Sequence, residues 1–474
     1  MIGGRAATEA VISGRCAVSV GNPETPLPSG WHWVLLSSLA DLGTGHTPSR
    51  KHPDYWDGDI PWIGVRDAGS HHGGIIADTS QHVTDLGLAN SSARLLPKNT
   101  VCLSRTASVG YVVMMGRPMA TSQDFVTWSC GNLLEPRYLL KALLAEGEEI
   151  RRFGEGSTHT TIYFPEVKAF HIALPPVPEQ RRIVAKIDRL SGKSIRARDH
   201  LDHVPRLVEK YKQAILAAAY KGSLQFSGSV ALDAVPIRSI IATLDQGWSP
   251  KCESEPASNL DDWAVIKTTA IQPIHFNGDE NKRLPSSLEP RPHIVIEPDD
   301  VLITRAGPRS RVAIACVVKT TRPRLMLCDK AYRLRVNGSV ANPTFVALML
   351  NAPQSLEILE RMKTGISDSG LNLTQAKFLD LPIPKLTLAQ QEKTVRLIEI
   401  AFAWIESLGR EVCSARRLLD HLDQAVLAKA FRGELVPQDP NDEPASVPLE
   451  RIRAEREVSA VQPTRGRKQA KIRS

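Results

Sequence analysis

The sequence predicts an α+β protein made of two copies of one unit, in which a region of short strands and helices is followed by a long helix. Three observations support this fold class. The chain repeats itself at a separation of 211 residues, the front of each copy is rich in glycine, proline and short apolar runs, and the back of each copy has apolar residues at helical spacing. A length of 474 residues is too great for one compact domain and fits two such copies.

The repeat is clearest at the end of each copy. Residues 211–224 (YKQAILAAAYKGSL) match residues 422–435 (LDQAVLAKAFRGEL), and the substitutions keep size and polarity. The same separation of 211 residues aligns Gln180 with Gln391. Chance does not align 14 positions and also keep the flanking matches in order, so the chain carries an internal pseudo-two-fold repeat.

Further upstream the two copies align at smaller separations. Such changes are what insertions and deletions in loops produce. The aligned pairs are Ile162 with Leu371 and Pro175 with Pro384 at 209 residues, Gly45 with Gly247 and Pro48 with Pro250 at 202, and Arg105 with Arg305 at 200.

The front of each copy predicts short strands separated by turns, with one or two helices. A proline-rich hinge then ends the strand pattern, because proline cannot donate to a central strand ladder. The strand candidates are residues 60–65, 101–103 and 301–303, the helix candidates are 136–144 and 343–350, and the hinges are 174–178 and 381–384.

A long helical stretch follows each hinge, at residues 179–221 and 390–432. Apolar residues recur there every three or four positions over 43 residues, which predicts a coiled-coil seam. Ordinary core helices are the alternative, although these average only about 12 residues. Pro205 lies inside the first stretch and predicts a kink or local break.

These features divide the chain into six segments. They are an N-terminal extension, a first mixed domain of strands and helices, a central long helix, a second mixed domain, a C-terminal long helix and a basic tail expected to be disordered. The boundaries are 1–30, 31–178, 179–225, 226–385, 386–436 and 437–474.

The net charge of +8 allows a polyanionic partner, and its distribution says more than its total. The first mixed domain has 12 basic and 14 acidic residues, whereas the central helix segment has 11 basic and 5 acidic residues. In the second mixed domain, nine basic residues between Ile303 and Arg335 are accompanied only by Asp329. Because neighbouring acidic residues are missing, this basic run predicts a phosphate-tracking or base-reading surface, with a solvated face as the alternative.

Composition excludes several classes of protein. No run of about 18 apolar residues predicts a membrane span, and the N-terminal sequence lacks the apolar core of a signal peptide. The seven cysteines are scattered and form no CxxC pair, which favours reduced thiols in the cytoplasm over a disulfide scaffold or a zinc finger.

Several partial enzyme motifs fail on inspection. The GKS of residues 192–194 lacks the P-loop glycine, because Ile187 stands at that position. Asn342-Pro-Thr-Phe345 lacks the second proline of an amino-methyltransferase loop and is interpreted as a helix N-cap. The histidines 71, 72 and 82 have no carboxylate or cysteine at ligand spacing, so an exposed turn is favoured over a metal site. We therefore expect no catalytic residue and no metal in this chain.

Three motifs together resemble the specificity subunit of type I restriction–modification systems. They are GHTPSR at residues 45–50, YW with GDIPW at residues 55–62, and PPVPEQ at residues 175–180 followed by a helix that ends in YKGSL. The resemblance covers about residues 31–436, and the second copy keeps the motifs less completely, with GWSP at residues 247–250 and TLAQQ at residues 387–391.

The resemblance implies that each mixed domain is a target recognition domain reading one half of a split double-stranded DNA sequence. It implies that the two helices pair as an antiparallel coiled coil, separate these domains and dock two methyltransferase subunits. S-adenosylmethionine would then bind to those partners, and ATP and magnesium to the restriction subunits, so that this chain is a non-catalytic subunit without a cofactor. Residues predicted to contact DNA are Arg50, Lys51, Arg66 and Arg105 in the first domain and Lys267, Arg305, Arg309 and Arg311 in the second.

Alternatives remain at the level of the sequence. Arg105 and Arg305 could instead form structural ion pairs. The chain could be the specificity component of a fused type II restriction system, or a coiled-coil scaffold that binds proteins and not DNA. A self-contained restriction or methylation enzyme would need a cofactor loop of its own, which the sequence lacks.

Overall fold

A computed structural model describes residues 11–154, 160–225, 232–365, 367–451 and 454. The chain forms two compact units. The first unit contains residues 1–199 and 416–474, and the second unit contains residues 200–415. Each unit therefore includes one mixed domain and a part of each long helix. Within the described ranges, no helix combines the length and the apolarity that a membrane span requires.

The first mixed domain contains the strands and helices of the chain up to the first hinge. Its strands are β1 (Ile12–Ser13), β2 (Val18–Val20), β3 (His32–Leu35), β4 (Ala40–Thr44), β5 (Trp56–Ile63), β6 (Ile75–Ile76), β7 (His82–Val83), β8 (Val101–Ser104), β9 (Val112–Met115), β10 (Ala120–Thr121), β11 (Phe125–Cys130) and β12 (Phe170–Leu174). Its helices are α1 (Leu36–Leu39), α2 (Val65–Ser70), α3 (Asp85–Ala89), α4 (Pro136–Glu146) and α5 (Phe164–Lys168), and the long helix α6 (Val177–Tyr220) follows.

The second mixed domain has a corresponding set of elements. Its strands are β13 (Ala234–Pro236), β14 (Ile241–Gln246), β15 (Ala264–Ile266), β16 (Asn281–Arg283), β17 (Val301–Thr304), β18 (Ala306–Gly307), β19 (Ala315–Val317), β20 (Leu325–Met326), β21 (Ala331–Val336), β22 (Lys363–Thr364), β23 (Leu371–Leu373) and β24 (Pro382–Pro384). Its helices are α7 (Pro343–Leu350), α8 (Pro353–Met362) and α9 (Gln375–Leu379), and the long helix α10 (Leu388–Phe431) follows.

The two domains share their sheet topology. The main sheet has the order β4-β11-β8-β9-β6 in the first domain and β14-β21-β17-β19 in the second. A smaller sheet contains a short parallel pair in each domain, β5 with β10 and β15 with β20. The predicted mixed fold and its internal repeat are therefore confirmed.

Hydrogen bonds correct the alignment of the two copies near the hinge. The amide of Ile162 donates to the carbonyl of Arg105 at 2.9 Å, and the amide of Leu373 donates to the carbonyl of Arg305 at 2.7 Å. Ile162 therefore corresponds to Leu373, at a separation of 211 and not 209 residues. The prediction was wrong because short apolar stretches with a period of two match equally well after a shift of two residues.

Within each unit the two long helices run antiparallel. In the first unit, Arg198 of α6 pairs with Asp420 of α10 at 2.8 Å, and the earlier residue Arg182 pairs with the later residue Asp442. In the second unit, Lys212 of α6 lies 3.3 Å from Glu406 of α10. The predicted antiparallel pairing is confirmed.

Pro205 does not interrupt α6, which is helical from Val177 to Tyr220. The break predicted at this proline is therefore absent. Position 205 is exposed, and a proline on the solvent side of a helix removes a single backbone hydrogen bond.

A buried glutamine fixes each long helix to its domain. The side-chain amide of Gln180 donates to the carbonyls of Leu133 and Pro175 at 3.0 and 2.9 Å, and its oxygen accepts from the amide of Glu135 at 2.8 Å. Gln391 makes the corresponding three bonds, to the carbonyls of Val340 and Leu386 and from the amide of Asn342, at 3.0, 2.9 and 2.8 Å. We call these two residues the clamp glutamines.

Residues from the predicted N-terminal extension take part in the first domain. Strand β2 pairs with β12, and the side chain of Val18 is buried. The carboxylate of Glu146, at the end of α4, accepts from the amides of Ala17 and Val18 at 2.6 and 2.9 Å and also from those of Arg15 and Cys16. Burial raises the pKa of this carboxyl above its ordinary value.

The tail is ordered over its first residues. Asp442 pairs with Arg182, and Ala445 is buried with its amide donating to the carbonyl of Gly30 at 3.2 Å. The prediction of a disordered tail is wrong for residues 437–451, because an acidic side chain and a small apolar side chain find specific partners there. Residues 455–474, which carry most of the basic charge of the tail, lie outside the described residues.

Candidate nucleic-acid interface

A glycine turn follows the first strand of the main sheet in each unit. A Cβ atom on Gly45 would overlap the carbonyl oxygens of Thr121 and Ser122, and one on Gly247 would overlap those of Leu327 and Cys328. Only glycine allows the chain to pass so close to this backbone. We call residues 45–51 and 247–251 the two glycine turns.

The amide after each glycine fixes the turn in the same way. His46 donates to the carbonyl of Thr121 at 2.9 Å, and Trp248 donates to the carbonyl of Leu327 at 3.0 Å. The separation of 202 residues that aligns Gly45 with Gly247 therefore identifies equivalent positions. The two turns present different side chains from the same backbone position.

The first glycine turn carries an arginine stacked on tryptophan. The guanidinium carbon of Arg50 lies 4.3 Å from the ring centroid of Trp56, and its terminal nitrogen donates to the side chain of Gln81 at 2.9 Å. Trp62 lies edge-on to Trp56 and donates to the carbonyl of His46 at 3.1 Å. This stacking holds the exposed guanidinium in one orientation.

Other polar groups surround this arginine. The hydroxyl of Thr47 donates to the side-chain oxygen of Gln123 at 2.5 Å, and Gln123 and Lys51 are both exposed. Arginine and glutamine are side chains that pair in bidentate fashion with guanine and adenine edges in the major groove. The first turn therefore presents a compact set of side chains whose chemistry suits contacts with base edges.

The second glycine turn carries a different set. Arg291 lies over the ring of Trp248 at 4.2 Å, and the hydroxyl of Ser249 bonds the carboxylate of Asp329. Lys251 and Lys330, which are close in sequence to Ser249 and Asp329, are both exposed. Ser249 and Asp329 thus occupy the places of Thr47 and Gln123, with a carboxylate where the first unit has an amide.

Arg105 and Arg305 occupy equivalent positions. Each donates a hydrogen bond to the main chain next to the carbonyls that contact the glycine turn of its domain. Arg105 donates to the carbonyl of Gln123 at 3.2 Å, and Arg305 donates to the carbonyl of Asp329 at 2.8 Å. Each guanidinium also lies over an aromatic ring, that of Phe164 at 4.9 Å or Tyr332 at 5.5 Å. Burial lowers the pKa of the Arg105 guanidinium. These contacts favour the structural alternative for this pair.

The basic run of the second unit is largely paired, contrary to the expectation that its acidic partners are missing. Those partners come from distant parts of the sequence, which the local charge count could not detect. The ion pairs are Arg309 with Asp368 and Glu360, Lys319 with Glu399, Arg324 with Asp261, Arg333 with Asp245, and Arg335 with Glu297 and Asp300.

Arg311 and Lys267 also have internal partners. Arg311 donates to the carbonyl of Ile271 at 2.8 Å, and Lys267 lies 3.6 Å from Glu280. Arg66 and Lys330 are exposed, and no side-chain partner is found for either within the described ranges.

Comparisons with known proteins agree with this geometry. A family profile described as the type I restriction modification DNA specificity domain matches residues 28–199. The specificity subunit of the type I restriction enzyme EcoEI of Escherichia coli is 26% identical, over 85% of this chain and 83% of that protein. That of StySPI of Salmonella potsdam is 23% identical, over 93% of this chain and 99% of that protein. Residues 28–199 therefore match the type I specificity domain, and the chain as a whole is similar to type I specificity subunits.

Solved structures show the same fold. A chain from a type I restriction–modification system matches with a TM-score of 0.62 and 20% identity, and covers 86% of this chain and all of its own length. The HsdS subunit from Thermoanaerobacter tengcongensis matches with a TM-score of 0.55 and 20% identity, over 87% of this chain and 99% of its own.

The most informative residues at the glycine turns are those that sequence reasoning missed. Gln81, Gln123, Trp248 and Arg291 lie at the glycine turns, yet only Trp248 had a signal in the sequence, because it directly follows the aligned Gly247. Gln123 and Arg291 reach the turns from other strands and loops, so that no local pattern marks them. Of the eight predicted contacts, Arg50 and Lys51 lie in a glycine turn.

The partial enzyme motifs have structural roles in the described residues. The GKS of residues 192–194 lies within α6. The side chain of Asn342 accepts from the amide of Phe345 at 3.1 Å at the start of α7, so the predicted N-cap is confirmed. His71 contacts the carbonyl of Asp67, and His82 contacts Asp78, both at 2.9 Å.

Proposed function

We propose that this specificity subunit reads a bipartite DNA target, each mixed domain reading one half through its glycine turn. The observation that carries the proposal is that the two turns share their backbone contacts but differ in their exposed side chains. A shared scaffold with different groups at the reading position is what two unlike half-sites require.

The side chains support different base preferences for the two halves. Arg50 with Gln81 and Gln123 offers donors to guanine and both donors and acceptors to adenine. The second turn offers Arg291 as a donor, together with the carboxylate of Asp329, which is an acceptor suited to the amino group of cytosine. Lys51, Lys251 and Lys330 are exposed and are suited to phosphate contacts.

The long helices supply candidate docking sites for the methyltransferase subunits. Leu207 and Tyr211 of α6 are 46% and 62% exposed, and their repeat equivalents Leu418 and Leu422 of α10 are 68% and 51% exposed. One pair belongs to each unit. Two equivalent exposed apolar pairs fit two copies of one partner.

The catalytic functions are assigned to those partners. S-adenosylmethionine is proposed to bind to the two methyltransferase subunits, and ATP and magnesium to restriction subunits that join the complex indirectly. This chain would then act as a non-catalytic component of a cytoplasmic restriction and modification complex.

Genome-wide mapping of methylated adenines in cells with and without this gene tests the proposal. We expect a bipartite motif that disappears on deletion. Arg50→Ala should relax the base preference in one half of the methylated motif and leave the other half unchanged. The control Arg94→Ala, at an exposed position outside the turns, should leave both halves of the motif unchanged. A motif that changes in both halves would contradict the assignment of one domain to each half.

The same system distinguishes the alternatives. Tight binding of S-adenosylmethionine by the purified chain would support a self-contained enzyme. The absence of any DNA shift at low salt, with a methyltransferase present, would support a scaffold that binds only proteins. A specificity component of a fused type II system would give a bipartite motif without ATP-dependent restriction.

A further inference from the structure

In the first unit, the hinge before α6 is covered by the chain's own tail. We call residues 442–448 (DEPASVP) the tail segment. Asp442 pairs with Arg182 of α6, and Ala445 is buried with its amide bonded to the carbonyl of Gly30. Glu443, Ala445 and Pro448 form one wall of a small cavity, and the hinge residues 174–178 form the other.

The hinge of the second unit forms an open groove. It has a volume of about 620 Å³ and a largely apolar floor. Its lining includes Val235, Ile240, Val340, Phe345, Ile383 and Leu386. Val340 is 43% exposed in this groove, which is unusual for a valine beside a buried core. The described residues that line the groove come from 233–240, 339–345 and 383–391, and none of them belongs to the tail.

The clamp glutamines show that the two hinge surfaces are equivalent. Gln180 bonds the carbonyls of Leu133 and Pro175, and Gln391 bonds those of Val340 and Leu386. Leu133 and Pro175 line the covered cavity, and Val340 and Leu386 line the open groove. Among the described residues, the same surface is therefore occupied in one unit and open in the other.

The repeat places a basic residue at the same position after each hinge. The separation of 211 residues places Lys393 of α10 at the position of Arg182, which holds Asp442 in the first unit. Lys393 is exposed, and no partner for it is found among the described residues. Lys385 and Asp233 both line the groove. The open groove therefore has an apolar floor, and the repeat places the exposed Lys393 where Arg182 holds the tail in the first unit.

We propose that the groove of the second unit binds an acidic, proline-containing segment of a partner protein, similar in chemistry to the tail segment. Such a segment has a carboxylate for Lys393, followed by small apolar and proline residues for the floor. Proline residues restrict the conformations of a free peptide, so that such a segment loses less conformational entropy on binding. This inference does not depend on the proposed DNA function.

A labelled peptide with the sequence of residues 439–450 (DPNDEPASVPLE) tests the proposal on the full-length chain by fluorescence anisotropy. We expect saturable binding at one site. Lys393→Glu should weaken it about fivefold, since an exposed ion pair contributes up to about 1 kcal/mol. Val340→Asp, which places a charge on the groove floor, should weaken it more. Arg410→Glu makes the same charge change elsewhere on α10 and should have no effect.

Several results would overturn the proposal. Absence of binding, or binding unaffected by both groove variants in proteins with unchanged thermal unfolding, would show that the groove is not a peptide site. Self-association of the chain that Lys393→Glu abolishes would identify a second copy as the occupant. Binding that appears only after residues 226–231 are replaced by glycine and serine would identify that linker as the occupant.

Discussion

At the scale of single residues, the arginines of this molecule fall into two groups with different partners. Arg105 and Arg305 donate to main-chain carbonyls and are half-buried against aromatic rings. Arg50 and Arg291 are exposed and lie over tryptophans at the glycine turns. A buried guanidinium stabilises the fold, and an exposed but oriented one is available to a ligand.

Replacing Arg305 by alanine should therefore affect stability before it affects recognition. The carbonyl of Asp329 would lose its charged donor, and Tyr332 would lose its stacked cation. We expect the free energy of unfolding of the second unit to fall by about 2 kcal/mol, measured by urea denaturation. Lys330→Ala serves as the control, because this side chain is exposed. Equal effects of the two substitutions would contradict a structural role for Arg305.

Glu146 gives a prediction for pH dependence. Its folded-state pKa is raised by burial above the ordinary value of 4.5, so its contribution to stability is present below that value and is lost as the pH rises through the folded-state pKa. The difference in unfolding free energy between the wild type and Glu146→Gln should therefore decrease as the pH rises above 4.5. Chemical denaturation across this range measures it, with Glu411→Gln, an exposed position, as the control. A difference independent of pH would contradict the assignment.

At this scale, sequence reasoning was limited because the two members of an ion pair can be far apart along the chain. The basic run from Arg305 to Arg335 appeared unpaired because its acidic partners, such as Asp245 and Asp368, are about 60 to 90 residues away. Gly45 and Gly247 were aligned correctly, because the requirement for glycine acts through the local backbone and leaves a trace in the sequence.

At the scale of elements, periodicity made the long helices predictable. Their bounds, 177–220 and 388–431, differ by one or two residues from those predicted. The short strands were less predictable, because a shift of two residues preserves their alternation of apolar and polar side chains. Such a shift led to the wrong alignment of the two copies near the hinge. The fold could therefore be derived from the sequence better than its register.

The exposed pairs on the long helices make a prediction about assembly. Leu207→Glu with Tyr211→Glu should remove one of two methyltransferase docking sites and reduce the stoichiometry from two partners to one. Mass measurement of the reconstituted complex checks this. Glu209→Lys changes an exposed charge on the opposite face of α6 and should leave two partners bound. Retention of both partners by the double variant would exclude this surface as a docking site.

At the scale of the whole molecule, the helices are expected to set the length of the unread spacer. Inserting seven residues into α6 after Asp199 and seven into α10 after Ala415 adds about 10.5 Å to each helix and keeps the heptad phase. The spacer of the methylation motif should lengthen by about three base pairs, at roughly 3.4 Å each. Insertion of the same seven residues after Arg451 is the control. An unchanged spacer would show that the helices do not measure the DNA.

The glycine turns, the supporting arginines and the clamp glutamines share one property that bears on how such proteins diversify. All of them act on main-chain carbonyl and amide groups. Every amino acid supplies these groups, so neighbouring side chains can be exchanged without loss of the framework that presents them. With the proposed function, a lineage can therefore acquire a new target by substitution at the turns while the cost to folding stays small, and invading DNA that has escaped one target sequence meets another.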